Sequence, residues 1–206
     1  MDSVRNVTIV DYGMGNLWSV ASALRFLGCE PCMSDDPQQV CAAPVLLLPG
    51  VGSFRRAMQA LDSRGLSDAL REAVRQRGAK LLGICLGMQL LAERGSEDGV
   101  SDGLGLVPGQ VDRFDAAGVK VPHIGFNSVR HAPGSRLFSG VDNPADFYFV
   151  HSFRLCERSG PGLYASTTHG EEFVSAYEHG NVFGTQFHPE KSQTNGLRLL
   201  RNFLAA

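Results

Sequence analysis

With 206 residues, 43% of them hydrophobic and 19% charged, the chain has the make-up of an ordinary globular protein able to bury one sizeable core, so a single domain over residues 1–206 is expected. The 21 acidic and 19 basic side chains leave a formal charge of -2 spread along the chain, which excludes a basic face for nucleic acid and a juxtamembrane cluster. No apolar run approaches the roughly 20 residues of a membrane span, the first residues lack a signal-peptide core, and the 5 cysteines, an odd number, suit free thiols in a reducing compartment, so a cytoplasmic protein is expected.

Asn6-Val7-Thr8-Ile9-Val10-Asp11 reads as a strand, and Asn16 to Leu27 as a helix with apolar residues at helical spacing that Gly28 ends. Cys29-Glu30-Pro31-Cys32 has C-x-x-C spacing at the start of a second strand, yet no second pair or nearby histidine cluster completes a metal site, so both cysteines are read as structural. Val45-Leu46-Leu47-Leu48, closed by Pro49-Gly50, has the continuous apolar pattern of a strand buried on both faces. Helices follow over Phe54 to Leu61 and Leu66 to Gln76, then a buried strand Lys80 to Ile84 and a helix Leu86 to Glu93. From Gly103 to Gly184 short strands alternate with turns, among them Phe147 to Val150, Phe173 to Tyr177 and Val182 to Thr185, and Asn195 to Leu204 closes the chain as an amphipathic helix. The fold class is therefore α/β: a mainly parallel open sheet flanked by helices, with added antiparallel strands in the second half.

Gly83-Ile84-Cys85-Leu86-Gly87 sets a cysteine between a buried strand and a helix start, with glycine two residues away on each side. This is the layout of a nucleophile elbow, in which a tight strand-to-helix turn strains the central residue and crowds its neighbours. The helix N-terminus favours the thiolate, the reactive form. A nucleophilic cysteine needs a base held by a third group. His188 in Gln186-Phe187-His188-Pro189-Glu190 follows a predicted strand, and an extended i, i+2 pair turns His188 and Glu190 the same way, so that Glu190 holds one imidazole nitrogen while the other faces Cys85. On composition alone His123, His151, His169 and His179 remain possible bases, and His131 reads as a loop residue. Attack on an amide creates an oxyanion, for which the loop Pro49-Gly50-Val51-Gly52 and the Leu86 N–H are candidate donors.

The loop Gly50-Val51-Gly52, the elbow at Cys85 and His188-Pro189-Glu190 together resemble the class I, or triad, glutamine amidotransferases. At a finer level Asp11-Tyr12-Gly13-Met14-Gly15-Asn16, Pro122-His123-Ile124-Gly125, Tyr148-Phe149-Val150-His151-Ser152 and His188-Pro189-Glu190-Lys191-Ser192 resemble the glutaminase subunits of imidazole glycerol phosphate synthases. The resemblance implies the class I glutamine amidotransferase fold, a Cys85, His188, Glu190 triad that hydrolyses L-glutamine through a γ-glutamyl thioester, and no cofactor or metal. It implies that Gly52, Gln89, His151, Ser152 and Phe153 line the glutamine pocket. It further implies that Asn16, Tyr148 and Lys191 lie toward a (β/α)8 barrel cyclase subunit in a heterodimer, to which ammonia is channelled for histidine biosynthesis, with no nucleic-acid or membrane partner.

Phe126 stands where that family commonly has tryptophan, and Phe153 and His169 where it commonly has tyrosine. Paralogous subunits that supply ammonia for amination of a sugar in surface-polysaccharide pathways are the alternative, since Cys85 chemistry is the same in both. A dinucleotide-binding module is disfavoured because Trp18 replaces the third glycine after Gly13 and Gly15. A catalytically silent scaffold is opposed by the intact Cys85, His188 and Glu190.

Overall fold

A computed structural model describes residues 6–115, 118–156, 158 and 160–206. The first half alternates strand and helix: β1 (Asn6–Val10), α1 (Leu17–Phe26), β2 (Glu30–Ser34), α2 (Pro37–Ala42), β3 (Val45–Gly50), α3 (Phe54–Ser63), α4 (Leu66–Arg75), β4 (Lys80–Cys85) and α5 (Leu86–Leu90). The second half is strand-rich: β5 (Arg94–Gly95), β6 (Ser101–Asp102), β7 (Gln110–Arg113), β8 (His123–Val129), β9 (Ala145–His151), β10 (Phe153–Leu155), β11 (Leu163–His169), β12 (Glu171–His179) and β13 (Val182–Thr185). A 3-10 turn (Pro189–Lys191) and α6 (Gln193–Ala205) end the chain.

The main sheet runs β2-β1-β3-β4-β13-β12-β10-β7-β5-β6, with β11 beside β12. Its first part is parallel: β1 pairs with β2 and β3, β3 with β4, and β4 with β13. Antiparallel pairing follows through β12–β13, β10–β12 and β7–β10, before β5 joins β7 in parallel. The expected α/β architecture holds, with β8 and β9 set apart as an antiparallel pair.

Alternation along the central strands splits the core in two. Leu46, Leu48 and Leu81 face α2, α3 and α4 in one apolar cluster, while Leu47, Leu82 and Ile84 join Val20 and Leu24 of α1 and Leu199, Leu200 and Phe203 of α6 in the other. Both faces of the parallel strands are thereby covered, which is why their sequences read as unbroken apolar runs. Among the described residues no helix is long and apolar enough to cross a membrane.

Two local expectations are corrected, and one helix was not expected. The helix expected from Leu86 to Glu93 ends at Leu90, because the segment that follows captures its carbonyls: Leu104 N–H donates to Leu90, Val107 N–H to Leu91 and Gly105 N–H to Ala92. Helix α2 went unforeseen, although Asp36 caps it by accepting from the Gln38 N–H at 2.8 Å and Pro37 occupies its first turn. The pair His188 and Glu190 is extended only at His188; Glu190 lies in the 3-10 turn.

Candidate active site

Strand β4 ends on Cys85, whose backbone sits at φ 55 and ψ -112, a strained left-handed conformation for a residue with a side chain. The glycines around it are required by close approach. A Cβ on Gly87 would overlap the carbonyl oxygen of Leu48, and one on Gly83 would come within 2.7 Å of the Gly87 carbonyl oxygen. Helix α5 can therefore pack directly onto β3 and β4, and the turn between β4 and α5 is forced to present the thiol at the carboxyl edge of the sheet.

Cys85 is only 6% exposed, but it lines a cavity of about 280 Å³. The same cavity is walled by Val51, Gly52, Leu86, Gln89, His151, Ser152, Phe153 and His188, so these sequence-derived positions converge. Gly50 lies one step behind, at the end of β3 in register with Cys85. Gly52, whose φ of 111 only glycine adopts without strain, lines the cavity beside Val51. Sequence reasoning missed Glu97, Pro122 and Val150, which also line it. Glu97 comes from the loop after β5, a position no motif marks; its carboxylate accepts from the Phe54 N–H at 3.0 Å. Burial pushes the Glu97 carboxyl above its ordinary value, with Asp98 adding to the shift and the Phe54 N–H opposing it.

His188 follows β13, tied down by its N–H donating to the Tyr148 carbonyl at 2.9 Å and by its own carbonyl accepting from Ser192 Oγ at 2.6 Å. Its Nδ1 stands 2.8 Å from Glu190 Oε1. An ionised carboxylate can only accept, so Nδ1 keeps its proton and Nε2 is the atom that gains or gives up a proton. That Nε2 is buried, and no hydrogen bond within ordinary geometric limits occupies it, although Cys85 acts strongly on the ring. Burial opposes charging the ring, yet Cys85 and then Glu190 prevail and push its pKa up to about 10. The arrangement is that of an imidazolium held between a sulfur and a carboxylate.

Of the other histidines, His151 joins the cavity wall, with His123 and His169 stacked behind it. His131 stacks on Phe138 in a loop, and His179 ends β12. Tyr148 and Lys191 lie together, the Lys191 ammonium 5.9 Å from the ring centroid, and Phe126 packs edge-on against the same tyrosine. Asn16 caps α1 by accepting from the Ser19 N–H. No disulfide joins the cysteines among the described residues, which also contain no cluster of three or more His, Cys, Asp or Glu side chains able to hold a metal ion.

The family model for glutamine amidotransferase class-I matches residues 8–206. The chain is 49% identical over 200 residues to the imidazole glycerol phosphate synthase subunit HisH of Moorella thermoacetica, covering 97% of this chain and 94% of that relative. It is 47% identical over 199 residues to the subunit of the same name from Chlorobium chlorochromatii, covering 96% and 98%. Among solved structures, PurLQS from Thermotoga maritima superposes with a TM-score of 0.76 at 19% identity, covering 98% of each chain, a likeness of fold alone. An elbow cysteine, a carboxylate-held histidine and a family match over nearly the whole length agree: the chain belongs to the class I glutamine amidotransferases.

Proposed function

We propose that the chain is the glutaminase subunit of an imidazole glycerol phosphate synthase, with Cys85 as nucleophile, His188 as base and Glu190 as the group that orients it. The observation that carries this reading is the strained elbow placing Cys85 Sγ on the same small cavity as a histidine whose tautomer a buried carboxylate fixes. The two HisH relatives support the subfamily and the histidine pathway over the sugar-aminating paralogues.

In the proposed reaction the Cys85 thiolate attacks the side-chain carbonyl carbon of L-glutamine. The carbonyl oxygen becomes an oxyanion, taken up by the Leu86 N–H and the Gly50-Val51-Gly52 loop. The His188 imidazolium gives its Nε2 proton to the departing nitrogen, the C–N bond breaks, and ammonia and a γ-glutamyl thioester result. His188, now neutral, takes a proton from water; hydroxide attack breaks the C–S bond and releases glutamate with the thiolate restored. No step calls for a metal or cofactor. Glu97 is the carboxylate on the cavity wall among the described residues, and we assign it to the α-ammonium of the substrate, with His151, Ser152 and Phe153 completing the wall.

Residues 1–206 act here as one domain, and the partner in this reading is a (β/α)8 barrel cyclase subunit that docks where Asn16, Tyr148 and Lys191 lie and receives the ammonia. The test is glutamine hydrolysis by the purified chain, alone and with the barrel subunit and its ribonucleotide. Glutamate release that is slow alone, stimulated by the loaded barrel and coupled to imidazole glycerol phosphate is expected. Stimulation by a sugar-aminating partner instead would overturn the assignment.

A further inference from the structure

Gln186, between β13 and His188, is fully buried, and its surroundings decide which end of its amide points where. The Gln89 amide nitrogen donates to the Phe153 carbonyl at 2.8 Å, an acceptor that cannot be exchanged for a donor, so the nitrogen end of Gln89 is pinned. The same nitrogen donates to Gln186 Oε1 at 3.0 Å. That occupies the oxygen of Gln186 and leaves its Nε2 to donate to Cys85 Sγ at 3.8 Å. One main-chain carbonyl therefore sets the direction of two successive amides, and the series ends on the sulfur.

We infer that Gln186 is a further catalytic residue, whose amide N–H donates to the Cys85 sulfur and favours the thiolate, with Gln89 preventing that amide from turning over. The inference rests on the reading of Cys85 as nucleophile and adds a donor to it. A thiol sulfur is a weak acceptor and a thiolate a strong one, so an N–H aimed at it gains most when the sulfur is charged. Reversed, the amide would set its oxygen against the sulfur and repel the charge. Gln186 is fully buried, so an unsatisfied or reversed amide there would be costly.

The other groups facing the sulfur divide the work. The Val150 carbonyl of β9, 3.8 Å away, accepts from the thiol and so favours the neutral form. Tyr12, just past β1, is a phenol that burial, reinforced by Cys85, holds far above its usual range, so it carries no charge. Burial keeps His151 of β9 neutral. His188 supplies positive charge, with Glu190 bonded to its other nitrogen. Gln186 is the neutral donor that offsets Val150.

The test uses the full-length chain with Gln186→Met, which keeps bulk and removes both polar atoms, and Gln186→Glu, which keeps an acceptor for Gln89 and sets an oxygen toward the sulfur. Alkylation of Cys85 by iodoacetamide is followed across pH by peptide mass mapping, with thermal melting as the control for folding. We expect alkylation about 10-fold slower than the parent at neutral pH for either variant, converging on the parent rate at alkaline pH as the profile moves upward. Profiles that superimpose on the parent, or that fall in parallel at every pH as a merely structural role would give, overturn the inference; if Gln186→Met does not fold, Gln186→Glu decides by the same criterion. Cys85→Ser is the companion control. Glutamine hydrolysis by that variant at the parent rate would sink the proposed function and this inference together, whereas a dead control with an unmoved Gln186 profile sinks the inference alone.

Discussion

His188 is pulled in two directions by its surroundings. Burial alone would keep the ring neutral, and the sulfur and carboxylate on either side keep it charged, with its pKa near 10. Because this value lies above the ordinary 6.5, the stabilisation it brings is fully present below pH 6.5 and fades as pH rises through about 10. Glu190→Gln removes one of the two attractions. Its melting temperature should fall most, relative to the parent, at acid to neutral pH, with the gap closing at alkaline pH, and glutamine turnover should drop on the order of 100-fold because the tautomer is no longer held. Equal melting curves across pH would show that the carboxylate does not sustain the charge. Glu97→Gln should raise the KM for glutamine by about 10-fold while leaving kcat within a few-fold, as the loss of one ion pair to a bound ammonium requires; steady-state kinetics on the activated complex checks it. The triad was legible in the sequence because each part sits in a local pattern with a mechanical reason: glycines around a strained cysteine, and a proline between a histidine and a glutamate. Glu97, Val150 and Gln186 were not, because only the tertiary fold brings a loop after β5 to the cavity, and a carbonyl of β9 and a buried amide to the sulfur.

Elements were read best where packing agrees with the local pattern. Strands β3 and β4 are covered on both sides, so their apolar runs named them directly. Helix α5 was overextended because the apolar residues after Leu90 continue a helical pattern, while the carbonyls that would propagate the helix are taken by Leu104, Gly105 and Val107, a competition no window along the sequence contains. The same helix supplies the sharpest test of the elbow. Gly87→Ala drives a methyl into the Leu48 carbonyl and must push α5 off β3. A loss of about 1 to 3 kcal/mol in stability is expected, together with a fall in Cys85 reactivity, since the turn that presents the sulfur moves with the helix. Urea denaturation and thiol alkylation measured on the same preparation check both, and a variant as stable and as reactive as the parent would contradict the close approach.

At the scale of the whole molecule, pH should act through a relay of two neutral histidines, His123 of β8 and His151 of β9. The Phe153 carbonyl accepts from His151 Nδ1 at 2.8 Å, so His151 Nε2 is an acceptor; His123 Nδ1 donates to it at 3.0 Å, and His123 Nε2 accepts from Asn127 at 3.1 Å. Every nitrogen has a role only while both rings are neutral. Burial, helped by the neighbouring histidines, depresses His123 to about 4 and His151 to about 3. Folded values below the ordinary 6.5 mean that this contribution is complete above pH 6.5 and is lost as pH falls, by roughly 2 kcal/mol per histidine near pH 5. His188 does not change this slope, being charged in both folded and unfolded chains at acid pH. Unfolding free energies from urea titrations should therefore decline steeply below pH 6.5 in the parent and more gently in His123→Phe/His151→Phe; equal slopes would refute the relay.

All of these scales meet at one sulfur, and the covalent intermediate tests it most directly. The activated complex is given glutamine, quenched in acid and digested, and the Cys85 peptide is weighed. A glutamyl adduct on that peptide alone is expected, absent from Cys85→Ala, whose complex still uses added ammonia. Glutamate released at the parent rate by Cys85→Ala, or an adduct carried by another cysteine, would contradict it.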